Sequence, residues 1–355
     1  MDMKLSVLDQ TTIRRGSNAK EALAESVQLA KFVDTLGYTR YWLSEHHNIL
    51  TLAGAAPEVM IARLAGETKN LRFGSGGIML PNHSAFKVAE NFRLLEALFP
   101  GRIDLGIGRA PGGDRLTASL LNPSNTFSPN EYIQKIVELK AYLSGSNEEG
   151  TVYEKVKAIP QIDSEPELWM LTSSGESAYI AAHFGMALSF AQFINPLGGP
   201  DAIADYRKQF KPSALLSHPK TSVGIFMFVS ESEEKAAQVQ AMMDHRLLSI
   251  EQGKRDEAPS YESVQSYSYS REEMARIQYN RMRMIVGVPD DVKNRLTELV
   301  NIFGVDEVVV STFADHFEDR LASYALLSEM FGINNRNLKS ALINTSPDHS
   351  ESLSI

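Results

Sequence analysis

The residues able to do chemistry gather in three short stretches. The first is Glu45-His46-His47, a carboxylate beside two imidazoles. Histidine changes charge closest to neutral pH, so it suits proton transfer or hydrogen bonding at a reacting centre. Two imidazoles could instead hold a metal ion, with Asp9, Glu45 and His83 as further ligands, although no spacing compels these to converge. A third reading has one ring packed and the other capping a loop. Adjacent residues on a strand point to opposite faces. His46 and His47 therefore share one site only where a strand has ended before them.

The second stretch is Gly74-Ser75-Gly76-Gly77. Glycines within a strand mark either close approach of a ligand to the backbone or a bulge. On the first reading, Gly76 and Gly77 form a shelf for a flat ring. The third signal joins Arg109 to the run Thr172-Ser173-Ser174-Gly175-Glu176-Ser177. A guanidinium can clamp a phosphate through two parallel hydrogen bonds. A serine-led helix start offers free N–H groups and a favourable dipole to the same anion. Taken singly, Ser173 or Ser174 is an ordinary helix cap and Arg109 a surface ion-pair partner. Taken together, Arg109, Ser173, Ser174 and Ser177 form a phosphate site. Phosphate donors, a glycine shelf and a nearby histidine suit flavin mononucleotide (FMN), with His46 at its reactive edge. Gly106 and Gly108 alone are no dinucleotide fingerprint, because the third glycine and the acidic residue are not in place.

The elements that must position these residues alternate between short apolar runs and helical runs. The pattern predicts strands at 4–10, 38–46, 71–80, 103–109, 168–172, 187–193, 222–230 and 305–312. Helices are expected at 19–37, 57–68, 85–99, 129–143, 174–185, 199–210, 232–250, 272–285, 290–303 and 315–331. A β-like segment is expected near 152–159. A polar insertion rich in Tyr and Ser occupies 251–270. Eight strand–helix units with near-continuous apolar strands predict an α/β fold, a closed (β/α)8 TIM barrel with insertions. One barrel domain spans 1–340, followed by a polar tail at 341–355. In such barrels the active site lies at the C-terminal ends of the strands, where all three stretches fall.

Composition narrows the functional classes. The chain has 355 residues and no cysteine, which excludes thiolate metal sites, iron–sulfur clusters and cysteine nucleophiles. The net charge is −9 and no basic run stands out, which argues against nucleic acid as a partner. No apolar stretch reaches membrane-spanning length, and the N-terminus reads as a strand. The expected location is therefore the cytoplasm.

The same motifs resemble the bacterial luciferase-like family of flavin-dependent monooxygenases. Trp42-Leu43-Ser44-Glu45-His46-His47 resembles that family's W-L-x-E-H-H strand. Gly74 to Pro81 resembles its G-T-A-A-I-V-L-P segment, and Gly101 to Arg109 its G-R-F-R-F-G-I-C-R strand. Ser173 to Ala178, followed by Ala181-Ala182, resembles its serine-led phosphate turn. The opening Lys4 to Gln10 looks most like a bacterial subgroup of luciferase-like oxidoreductases without known light emission. The resemblance implies a barrel that binds reduced FMN and forms a C4a-peroxyflavin with O2, which oxygenates a small organic substrate. It implies His46 as the catalytic histidine and a non-proline cis peptide at Gly76-Gly77. It implies Arg109, Ser174 and Ser177 as phosphate contacts, a separate flavin reductase, and a homodimer packed through the first few helices. Two relatives of this reading stay open: hydride transfer with a flavin or deazaflavin, and a non-catalytic flavin-binding protein. Gly108 stands where the family has a cysteine beside the flavin, and Ser84 where luciferase has a histidine. Thiol chemistry is thereby excluded, and long-chain aldehyde specificity is not implied.

Overall fold

The computed structural model describes residues 3–254 and 259–333. The polar tail expected at 341–355 lies outside them. Strands β1 (Lys4–Asp9), β2 (Arg40–Leu43), β3 (Arg72–Met79), β4 (Ile103–Gly108), β5 (Glu167–Thr172) and β6 (Ala187–Ala191) pair in sequence, all parallel. β7 (Thr221–Val229) joins β6, β8 (Met284–Gly287) follows it in the chain, and β9 (Glu307–Ser311) pairs with both β7 and β1. The ring of β1–β7 and β9 thus closes into an eight-stranded α/β barrel, as the alternating pattern predicts.

Helix boundaries follow local chemistry. Asn18 accepts from the Glu21 N–H and starts helix Ala19–Thr35. Pro57 sits at the first helical position of Pro57–Ala65. Gly185 ends Gly175–Phe184 in the left-handed conformation, with φ of 61°.

Two expectations fail. The segment near 152–159 forms a short helix, Val152–Lys155, and no strand. Its β-branched residues find no sheet edge, and β-propensity yields to context. The helix expected at 272–285 stops at Arg281, and its last residues become β8. β8 pairs with the C-terminal half of β7, from Phe226↔Met284 to Val229↔Gly287, beyond the β6 pairing. It packs with Phe226, Phe228, Val239 and Met243 in a second small core. The 251–270 insertion contains a further helix, Tyr261–Gln265, packed on Glu233–Glu251.

Alternate strand residues fill the bore in layers. Its floor is polar. Arg40, 1% exposed, donates to Glu307 through Nε at 2.5 Å and to Asp104 through Nη1 at 2.7 Å. Nη1 also reaches Glu167 at 3.3 Å. Burial disfavours the Arg40 charge, but the carboxylates of Asp104, Glu307 and Glu167 outweigh that and hold its pKa above the ordinary arginine value. Burial works against the Glu167 charge too, and Arg40 and Lys220 nevertheless hold its pKa down to about 2. Above this floor Trp42 and Trp169 meet edge to face, with centroids 5.2 Å apart. Each indole N–H donates to a floor carboxylate, Asp104 at 3.0 Å and Glu167 at 2.6 Å.

The floor carries a direct consequence. Removing one partner of a buried ion pair leaves the rest uncompensated and costs roughly 3–5 kcal/mol. Arg40→Met should lose about that much in urea-unfolding free energy. The Glu167 pKa is depressed, so its contribution is full above the unfolded carboxylate value and is lost as pH falls toward about 2. Urea titrations over that acid range should show the loss in wild type and a smaller slope in Arg40→Met.

Candidate active site

β2 ends at Leu43, so Ser44 to His47 lie in the loop at the barrel mouth. That frees both imidazoles from strict alternation. Glu45 is buried and ionised at the pivot. Its Oε1 accepts from His47 Nε2 at 2.7 Å and His83 Nε2 at 2.8 Å, and its Oε2 from the Met79 N–H at 2.9 Å. The ligand atoms of Glu45, His47 and His83 lie within 4.8 Å of one another. Glu45 thereby ties the β2 loop to the end of β3. The His47 N–H also bonds Gly112 O at 2.9 Å, which brings in the loop after β4. Asp9 does not join this cluster. It accepts from Ser26, Tyr41 and Arg320 beneath the first βα loop.

His46 stands apart from the bracket. It is half-buried, with Nδ1 2.9 Å from Ser44 Oγ. Burial pushes its pKa below the usual histidine value, so the ring is neutral at pH 7. His83 goes the other way. Burial opposes its charge, but the Glu45 hydrogen bond and charge outweigh burial and raise its pKa. Two histidines of one mouth thus have their pKa values pushed in opposite directions by their surroundings.

The Gly76-Gly77 peptide is cis, and the β3–β4 register shifts between Gly76 and Ile78. Here the barrel interior demands glycine. A Cβ on Gly76 would meet Leu8 Cδ1 at 2.6 Å and Trp42 Cβ at 3.0 Å. On Gly106 it would meet Ser75 O at 2.2 Å. Close approach of neighbouring strands and of the indole layer accounts for these residues, before any ligand is considered.

Arg109 leaves the end of β4 and pairs with Glu176 Oε2 at 2.9 Å. Glu176 lies in the first turn of Gly175–Phe184, so the guanidinium reaches the serine-led helix start. Ser174 is the N-cap, yet its side chain makes no capping bond. Ser177 is buried one turn in. Ser173 is held through its carbonyl by Asn195 Nδ2 at 2.9 Å. Arg109 and Glu176 line a cleft of about 410 Å³ with Asn125, Tyr132 and Lys135. Asn125 Nδ2 is buried there without a partner. Asn125 and Lys135 escaped the sequence reading, because only tertiary folding brings the 110–128 loop and helix Pro129–Leu143 to Arg109. A second cleft, about 310 Å³, opens on the β1 and β9 side of the mouth.

The opposed histidines can be read directly. In NMR pH titrations His83 should titrate above, and His46 below, a model histidine. Glu45→Gln should drop His83 below the ordinary histidine value, because its burial persists while the carboxylate is gone. A raised folded pKa stabilises below the unfolded value and ceases to as pH rises through the folded one. An unshifted His83 in Glu45→Gln would refute the bracket as the cause.

Comparison with known proteins bears on this arrangement. The luciferase-like monooxygenase family model matches residues 3–307. The chain is 47% identical to the uncharacterized protein YwcH of Bacillus subtilis, over 93% of this chain and 99% of that one. It is 32% identical to the N-acetyl-S-alkylcysteine monooxygenase of the same organism, over 92% and 98%. The solved structure of apo-MsnO8 superposes with a TM-score of 0.86 at 33% identity, covering 93% of this chain and 99% of that one. With its closed barrel and its histidines at the mouth, the chain belongs to the luciferase-like family of flavin-dependent monooxygenases and is an oxidoreductase.

Proposed function

We propose that the chain uses reduced FMN and O2 to insert one oxygen atom into a small organic substrate. The observation that carries the reading is the contact between Arg109 and Glu176, which holds a guanidinium against the serine-led helix start. The donor set suits a phosphate: Arg109, the uncommitted Ser174 hydroxyl, buried Ser177 and the unpartnered Asn125 Nδ2. Ser173 and the Gly76-Gly77 shelf complete the cofactor contacts on this reading. Reduced flavin would supply two electrons to O2, leaving one oxygen atom in the product and the other in water. His46, neutral and half-buried, would hold or donate a proton through Nε2 at the reacting centre. The Glu45 bracket positions the loop from which His46 projects.

Two further parts belong to this proposal. A separate reductase in the cytoplasm would supply the reduced flavin. A homodimer would cover Val59, Leu94 and Leu98, which stand exposed on the neighbouring helices Pro57–Ala65 and Ala85–Leu98. Leu94→Glu should turn a dimer into a monomer in sedimentation velocity. A wild-type monomer would end that part of the reading.

The cofactor site is tested by titrating FMN against variants. A charge-assisted phosphate contact contributes about 1.5–3 kcal/mol, so Arg109→Ala should weaken binding at least roughly tenfold. Glu176 competes with the phosphate for Arg109, and an exposed pair is worth about 0.2–1 kcal/mol. Glu176→Gln should therefore tighten binding slightly, by at most about fivefold. His46→Ala should bind FMN normally but lose oxygen-dependent product formation. Wild-type affinity in Arg109→Ala would defeat the phosphate site. Turnover with a reduced deazaflavin but not with FMN and O2 would move the chain to hydride transfer.

A further inference from the structure

The cleft on the β1 and β9 side takes no part in the cofactor site described above. It lies between the loop after β1, the loop after β9 and the long helix Glu233–Glu251. Its wall is partly apolar, with Val239, Met242, Met243 and Phe313. Its charged residues are mostly matched. Arg14 pairs with Glu25, Lys235 with Asp319 at 2.8 Å, and Arg320 with Asp9 at 2.9 Å.

Arg15, Glu262 and Asp315 are exposed, and among those that are not exposed Arg246 is the exception. It makes no hydrogen bond or ion pair among the described residues, although it is half-buried in the wall. Its guanidinium lies over the Phe313 ring, 4.5 Å from the centroid. That stacking holds the group in place while leaving its N–H donors unused. Asp315 is the carboxylate that acts on it electrostatically. Burial pulls the Arg246 pKa down, with Asp315 opposing. Two more polar atoms in residues of this lining are buried without a partner, Thr312 Oγ1 and Arg320 Nε. A desolvated cation in a chain of net charge −9 normally finds a carboxylate of its own. Here none is in contact among the described residues.

We propose that this cleft takes the carboxylate of a small amphipathic organic acid, anchored on Arg246 over Phe313, and that such acids are the substrate class. The apolar wall accepts the acid's hydrocarbon part, and the guanidinium fixes its end by paired hydrogen bonds. The inference rests on the monooxygenase reading only in calling the acid a substrate. Anion binding stands without turnover.

The test uses phenylacetate and its neutral isostere phenylacetamide, titrated calorimetrically at low salt into the full-length protein. Wild type should bind the acid at least about tenfold tighter than the amide, as a charge-assisted contact requires. Arg246→Met should erase that preference, and Arg246→Lys should keep part of it, with both variants melting near wild type. No preference in wild type, or a preference that survives Arg246→Met, overturns the site. An FMN affinity that falls in Arg246→Met as much as the phenylacetate affinity also overturns it, because the cleft then belongs to the cofactor. Oxygen uptake with reduced FMN separates the two proposals. Acid binding through Arg246 without flavin-dependent oxygenation of any bound acid would overturn acids as the substrate class and leave the anion site standing.

Discussion

The barrel depends on one buried cation. Arg40 enters the bore at the first residue of β2 and is met by carboxylates from β4, β5 and β9. Each of these strands must start at a fixed height for its carboxylate to reach the guanidinium. The cluster therefore sets strand register across the bore, where main-chain pairing acts only between neighbours. A dry ion cluster of this kind is poor evidence for net stability. It is better evidence for specificity, since a one-residue slip of β4 would turn Asp104 outward and leave Arg40 short of charge. Lys220 and Arg72 neutralise the outer edges of the same carboxylates.

The layers above follow from that floor. Arg40 lies 4.7 Å from the Trp169 ring centroid, and both indoles donate downward to the floor. Two tryptophans fill most of a bore layer, so the strand beside Trp42 must carry almost nothing. Gly74 and Gly76 supply that room, while Gly106 lets β4 pass close to the Ser75 carbonyl. The bore is then solid from floor to mid-height, and space opens only at the C-terminal mouth. Chemistry is confined to the loops there by packing, before any catalytic residue is considered.

How far this was legible in the sequence depended on what carried each signal. Strands such as Ile103–Gly108 and Val308 to Ser311 announced themselves as apolar runs, because they are covered on both sides. β8 did not. Met284–Gly287 follows a helix after two residues and becomes a strand only because β7 outruns its barrel partners. The Val152 segment misled in the opposite direction, since its residue types suit a sheet and no edge is offered. At the mouth, Glu45, His46, His47 and Arg109 were visible by type and by their place after strands. The division of labour between His46 and His83 was not. It rests on one shared oxygen of Glu45, a contact between loops 38 residues apart. The glycines were visible but ambiguous, and their first duty proves to be toward Trp42 and Leu8.

The distribution of cations around the mouth has a physical logic. On the proposed reading, Arg109 on the β4 side serves the cofactor phosphate and Arg246 on the β9 side serves a substrate carboxylate. Both permanent charges then sit on the β4 and β9 sides, not on the β2 loop. His46 lies on the β2 loop, in the arc between β1 and β4, and burial keeps it uncharged. A reacting centre with no fixed charge of its own keeps a low local dielectric. There a single well-placed proton donor acts more strongly than it would in water. Cations at that centre would instead draw in counter-ions and water, which oxygen chemistry must exclude. Any charge that His83 takes up is kept harmless by the same rule, since Glu45 would neutralise it within the bracket and away from the ring of His46.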